Sequence, residues 1–214
     1  MFGYSLSNNI PPFLSAARTE IQNELKPYVQ QAVTELAIDG KDDKVLYRRV
    51  LPEHFKALAH PLGVTGTVVV EASPWVDDNQ WVLDLAKDDP FIVGLVGHLN
   101  PGADDFAKHL KRFAQNPLFR GIRINSGDLA KGLEQDAYIA EMKRLADSDL
   151  ELDVNGGPDM PHVVARLAER LPELRVVINH VANVRIDGKA VPAEWLEGMQ
   201  AAAKSRRVFC KVSA

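Results

Sequence analysis

The sequence predicts an α/β fold, an incomplete TIM-type (β/α) barrel of about six parallel strands with an N-terminal helical segment. Three observations predict it. From Val64 onward, short β-branched apolar runs alternate with longer stretches of helical periodicity. The runs recur roughly every thirty residues, the size of one βαβ unit, with no antiparallel hairpin signal between them. Polar residues gather at the C-terminal ends of nearly all the runs: Glu71, His98, Arg123, Asn125, Asp153, Asn155, His180 and Lys211.

The elements follow in order. In residues 1–40, Pro11 and Pro12 break the chain. Leu14, Ile21, Leu25, Tyr28, Val29, Ala32, Val33 and Leu36 then form an apolar stripe at helical spacing, which Pro27 should kink. One or two amphipathic helices are expected there, with an apolar face that must pack on something. Gly40 to Lys44 reads as a charged linker, so residues 1–40 form a helical segment and residues 41–214 the partial barrel. Leu51 to Leu62 reads as a short helix.

The strand runs are Val64–Ala72, Phe91–Leu99, Phe119–Ser126, Leu150–Gly157, Arg175–Val181 and Arg207–Ala214. Continuous apolar runs of this length suit strands buried on both faces. The helices between them are Asn79–Lys87, Asp104–Ala114, Asp136–Asp147, Met160–Arg170 and Ala193–Lys204. Asp104 can cap its helix, and Pro161 and Pro192 sit near first-turn positions.

An open doubly wound sheet and a closed barrel both satisfy this alternation. No G-x-G-x-x-G turn follows the first strand, which weakens the dinucleotide-binding version. A barrel mouth gathers every strand end around one centre, whereas an open sheet gathers those at its switch point. The barrel is favoured.

Bulk properties narrow the function. The 214 residues are 46% hydrophobic and 25% charged with net charge -4, the balance of a globular domain with no nucleic-acid partner. No apolar run reaches membrane-span length, and Met1 to Ser7 lacks the features of a signal peptide. A cytoplasmic protein is expected. The lone Cys210 sits in an apolar run and reads as a buried structural thiol.

Five pieces of the sequence carry a family resemblance: Gly63–Ala72 (GVTGTVVVEA), Pro90–Gly97 (PFIVGLVG), Phe119–Arg123 (FRGIR), Leu174–His180 (LRVVINH) and Val208–Ser213 (VFCKVS). In this order and spacing they resemble the amidohydrolase-related (amidohydrolase-2) family of metal-assisted hydrolases, nearest its sugar-lactone and pyrone-dicarboxylate lactonase branch. The resemblance implies a (β/α)8 barrel and a divalent metal, zinc or manganese, that activates water and polarises a carbonyl. It also implies a first strand ending in Asp-x-His-x-His and a last strand supplying an Asp. Neither has a counterpart here: no two of His54, His60, His98, His109, His162 and His180 are one residue apart, and the barrel is expected to be truncated after its seventh strand.

The resemblance puts His180 at the mouth as a metal ligand or water-orienting catalytic group; the alternative is a buried histidine bonded to backbone. Arg123 can grip a substrate carboxylate or lactone oxygen, or form an ion pair with Glu71 or Asp153. Glu71 can ligate a metal, bind sugar hydroxyls or answer Arg123. His98 and Asn125 can contact substrate or line the mouth. Asp153 and Asn155, two apart on one strand, share a face. Lys211 can bind an anionic group or reach solvent.

Three functions follow. The first is a metal-dependent hydrolase acting on a lactone or other cyclic ester, with a small-molecule substrate. The second is a catalytically inactive truncated barrel, whose exposed strand edge invites homo-oligomerisation. The third is a small-molecule binding module.

Overall fold

A computed structural model describes residues 51–71 and 73–213. The predicted helical segment at 1–40 and its boundary with the barrel lie outside the described residues. The chain divides into two compact units, 1–62 and 63–214. In the first, α1 (Pro52–Ala59) runs into a 3-10 turn, His60–Leu62. Its start is closed by the Leu51 backbone N–H donating to His54 Nδ1 at 3.0 Å.

The second unit is a six-stranded parallel sheet: β1 (Thr67–Val70), β2 (Ile92–Gly97), β3 (Phe119–Asn125), β4 (Glu151–Asn155), β5 (Arg175–Ile178) and β6 (Val208–Cys210). The strand order in space is the order in sequence. Among the described residues the order does not reverse, so they contain no switch point of the doubly wound kind. With every crossover stepping the same way along the sheet, the connecting helices pack on one face, and the result is the half-barrel expected from the sequence.

The connecting helices are α2 (Val76–Asp88), α3 (Phe106–Phe113), α4 (Ser126–Gly132), α5 (Asp136–Asp147), α6 (Met160–Arg170) and α7 (Ala193–Ala202). The sequence reading did not contain α4. There the Asn125 side chain ends the strand and caps the helix, accepting from the Gly127 N–H at 2.8 Å. Nor does Asp104 cap α3. Asp105 holds the N-cap position without a cap bond, and its carboxylate meets His109 Nε2 at 3.1 Å instead.

The register separates the two faces of the sheet. Ile122, Leu152, Val176 and Val208 form one lateral row; Ile124, Val154, Ile178 and Cys210 form the next on the same face. These rows pack with Met142, Leu145, Val164 and Leu167 from the helices. Here lies the apolar core, and most of its members are fully buried. Burial pushes the Cys210 thiol pKa up, opposed by a hydrogen bond from the Val181 backbone N–H.

The opposite, luminal face reads Arg123, Asp153, Val177, Phe209 along one row, with Gly121, Glu151 and Arg175 below and Asn125 and Asn155 above. Strands buried in apolar surroundings on both faces were expected; the luminal face is instead largely polar. The outermost strands are also the least covered, with Val68 46% and Phe209 52% exposed. Among the described residues, β1 pairs with β2 alone and β6 with β5 alone, so each has one strand neighbour where the inner strands have two.

Candidate functional site

At the C-terminal ends of β1 to β4 lies an open cavity of about 610 Å³, within the size range of small-molecule sites. Glu71, His98, Arg123, Asn125 and Asn155 line it. Five of the eight strand-end polar residues singled out in the sequence are therefore brought together. Asp153, His180 and Lys211 are not in its lining.

Arg123 lies at the centre of the arrangement. Its Nε donates to Glu71 Oε1 at 2.9 Å, and its Nη2 donates to the Glu71 backbone carbonyl. Both side chains are largely buried. Of the ion-pair partners considered from sequence, the structure selects Glu71. A guanidinium has five N–H donors, so three remain for a ligand.

His98 is held by its backbone. The buried Asn79 side chain accepts from the His98 N–H at 2.9 Å and donates to the His98 carbonyl at 2.8 Å. The preceding Gly97 leaves room for this clamp, since a Cβ there would stand 2.3 Å from Asn79 Oδ1. Sequence reasoning missed Asn79. A polar residue on the core side of a helix was the available signal.

Asp153 is fully buried beneath the mouth. Its Oδ2 accepts from Lys211 Nζ, while Oδ1 has no protein partner. Lys211 thus neither reaches solvent unpaired nor stands free for an anion. Beside it, burial first and the Asp153 charge second push the Glu151 pKa above the usual carboxylate range, against Lys211, Arg175 and Arg120.

His180 follows β5 and opens a run of left-handed backbone. His180, Val181, Ala182 and Asn183 have φ of 52, 45, 58 and 48°, a conformation that costs roughly 1–2 kcal/mol per non-glycine residue. The run is held by three bonds. Trp195 Nε1 donates to the Val181 carbonyl at 2.9 Å, Asn183 Nδ2 to the Gly156 carbonyl at 2.8 Å, and the Val181 N–H to the Lys211 carbonyl at 3.0 Å. The His180 ring meets Ser213 Oγ through Nδ1 at 2.9 Å. No sequence signal foretold this turn, because none of the four residues is glycine.

On the helical side of the cavity, Asp128, Lys131, Gln135 and Tyr138 come from α4, α5 and their junction. None of these was singled out from sequence: α4, which carries Asp128 and Lys131, was not foreseen, and Gln135 and Tyr138 lie away from any strand end.

A family model described as amidohydrolase matches residues 35–214. The chain belongs to the amidohydrolase family. It is 31% identical over 170 residues to an L-fucono-1,5-lactonase from Burkholderia ambifaria, a match that covers 78% of this chain and 58% of that protein. A zinc-bound crystal structure of an amidohydrolase from Burkholderia multivorans superposes with TM-score 0.73 at 21% identity, covering 86% of this chain and 65% of that one. A probable 2-pyrone-4,6-dicarboxylic acid hydrolase from Acinetobacter baumannii, crystallised with citric acid, gives TM-score 0.57 at 17% identity, over 83% and 67%. At such identities the two structures establish the shared fold. The chain spans 58% of the length of the lactonase and 65% of the zinc-bound structure.

The resemblance had implied a divalent metal, and the residues can be tested against it. Among the described residues, no three His, Cys, Asp or Glu side chains come together as a ligand set. All six histidines of the sequence are among those residues. Asp153 is taken up by Lys211, and one nitrogen of His180 by Ser213. The described residues do not by themselves fit a metal centre.

Proposed function

We propose that this chain forms the substrate-binding wall of a hydrolase that opens lactones or related cyclic esters. The single observation that carries the reading is the Arg123–Glu71 pair in a cavity at the C-terminal strand ends. Hydrolysis of a lactone joins the oxygen of water to the carbonyl carbon and breaks the ring C–O bond, leaving a hydroxy acid. Negative charge develops on the carbonyl oxygen. The three spare N–H groups of Arg123 can meet that oxygen, and Glu71 keeps the guanidinium oriented. Asn125, Asn155 and His98 supply further polar contacts to the ring, and Asp153 supports the floor from below through the Lys211 pair.

The relatives support this assignment by what they are: one is named for a sugar lactone, another for a pyrone-dicarboxylic acid, and a third holds zinc. The zinc-bound relative supports a divalent metal as the family's cofactor, which the resemblance gives as zinc or manganese. His180 is the chain's candidate catalytic histidine and the candidate ligand among its residues. No step is assigned to the metal, since the described residues lack its ligand set. That mismatch favours a second reading, in which the cavity binds its small molecule without turnover. A homo-oligomer joined through the edge of β1 or β6 that has no strand neighbour among the described residues belongs to the same proposal.

The test is a pH-indicator assay over a panel of five- and six-membered sugar lactones, with zinc, manganese or chelator present. Turnover that falls at least tenfold in both Arg123→Ala and His180→Ala is expected. Ligand-dependent thermal stabilisation without turnover would select the binding reading. Neither turnover nor stabilisation with any lactone would overturn both.

A further inference from the structure

His180 opens a turn that its own sequence disfavours. β5 ends at Ile178, and from His180 to Asn183 the backbone is left-handed. Glycine adopts this backbone freely and asparagine tolerates it. Val181, at φ 45°, carries the heaviest penalty, since a β-branched residue rarely takes a positive φ. Such a segment persists only when its surroundings over-determine it.

The bonds that hold it come from three sides. Trp195 on α7 donates its indole N–H to the Val181 carbonyl at 2.9 Å, while its ring packs against the core. The Val181 N–H donates to the Lys211 carbonyl at 3.0 Å, just past β6. Asn183 Nδ2 donates to the Gly156 carbonyl at 2.8 Å, just past β4. Val181 is thus gripped at both its N–H and its C=O, one residue after His180.

That grip sets the direction of the imidazole. In a strand, alternation decides which way a side chain points. At φ 52° the turn decides it for His180 instead. Nδ1 meets Ser213 Oγ at 2.9 Å, which leaves Nε2 as the nitrogen for a ligand or a proton. Of the two side chains that donate to hold the turn, Trp195 alone lies outside it.

We infer that Trp195 is a positioning residue for His180: through the Val181 carbonyl its indole N–H holds the strained turn, and so the imidazole, in place. The inference rests on the assignment of His180 as the catalytic histidine under the proposed function.

The experiment is Trp195→Phe in the full chain, which keeps an aromatic ring against the core and removes the N–H. Two quantities are read. The first is hydrolysis of the sugar lactone that the wild type opens fastest in the panel above. Its kcat is expected to fall at least tenfold with KM within twofold, because Trp195 is outside the cavity lining. The second is the imidazole carbon–proton spectrum by NMR, with the His180 signals assigned by their loss in His180→Ala. They are expected to shift or double in Trp195→Phe, while those of His54, His98 and His109 hold. Adding Val181→Gly relieves the strain at the gripped residue and is expected to return at least threefold of the lost kcat. Leu152→Val, which loosens the core away from the turn, is expected to keep kcat within twofold. Unmoved His180 signals, an unchanged kcat, a loss carried wholly by KM, no rescue by glycine, or an equal loss in Leu152→Val overturns the inference and leaves the proposed function standing. A wild type without turnover overturns the proposed hydrolysis, and the His180 signals then decide this inference alone. Full turnover in His180→Ala overturns the catalytic assignment of His180 and this inference with it.

Discussion

Replacing Asn79 by alanine tests whether the clamp on His98 holds the mouth of the cavity in place. The amide makes two hydrogen bonds to one residue's backbone, at 2.9 and 2.8 Å, from a side chain that is almost fully buried. If the freed His98 N–H and C=O find water, the loss is about 1 kcal/mol per bond, so about 2 kcal/mol. If they stay dry, each orphaned group costs roughly 1–3 kcal/mol and the loss is larger. The companion variant is Gly97→Ala. Its Cβ would stand 2.3 Å from Asn79 Oδ1 and 2.7 Å from Phe119 Cε2, an overpacking of about 1–3 kcal/mol. With Asn79 already shortened, the first clash disappears and the second remains. The double variant should therefore be more stable than the sum of the singles, by more than about 0.5 kcal/mol. Urea denaturation followed by far-ultraviolet circular dichroism gives all four stabilities. Single variants indistinguishable from wild type, or strict additivity in the double, would refute the clamp.

Three further predictions follow from the sheet. Leu152→Ala, at a fully buried position on the helix-facing side of β4, should cost about 2–5 kcal/mol in the same assay; a loss under about 1 kcal/mol would place the core elsewhere. Lys211→Met leaves the fully buried Asp153 carboxylate without its cation. Its cost should lie near the lower end of roughly 3–5 kcal/mol because Lys211 is partly exposed, and adding Asp153→Leu should restore much of it. The third concerns Glu151, whose pKa is raised by burial and then by Asp153. Folding tightens its hold on the proton, so native stability falls as pH rises from the ordinary carboxylate value through the raised one. Glu151→Gln should thus be stabilised relative to wild type above that window and lose the advantage below it. A gain that grows on acidification would reverse the assigned sign.

The sequence made some parts of this structure readable and hid others for physical reasons. Helices α5 and α6 begin and end where their periodicity does, at Asp136–Asp147 and Met160–Arg170. Each strand run contains its strand, because β-branched apolar residues alternate faces against a helix layer. The strand ends were overcalled, as in Phe119–Ser126, where Asn125 turns the chain into α4 by a side-chain cap. Periodicity cannot register a single capping bond in an otherwise apolar run. The cavity's strand-end residues Glu71, His98, Arg123 and Asn125 were legible from position alone. Its helical wall was not, since Asp128 and Lys131 lie on the unforeseen α4, and Gln135 and Tyr138 beyond it had no strand-end position to mark them. The left-handed turn at His180–Asn183 is a case of tertiary bonds overriding local preference.

The sequential strand order also bears on how the chain finds its fold. Paired residues are separated by no fewer than 24 positions, as in Val154 with Ile178, and no more than 32, as in Val176 with Val208. Among the described residues no pairing joins distant ends of the chain. Each β-strand therefore docks onto a neighbour made just before it, and loop closure carries a similar entropy at every step. Order can spread along the sheet one unit at a time, in the manner of a repeat array. Protection from amide hydrogen exchange should then peak at β3 and β4, which have neighbours on both sides, and decline toward β1 and β6. The cavity proposed as the ligand site, spread over the ends of β1 to β4, thus straddles its firmest and one of its softest strands.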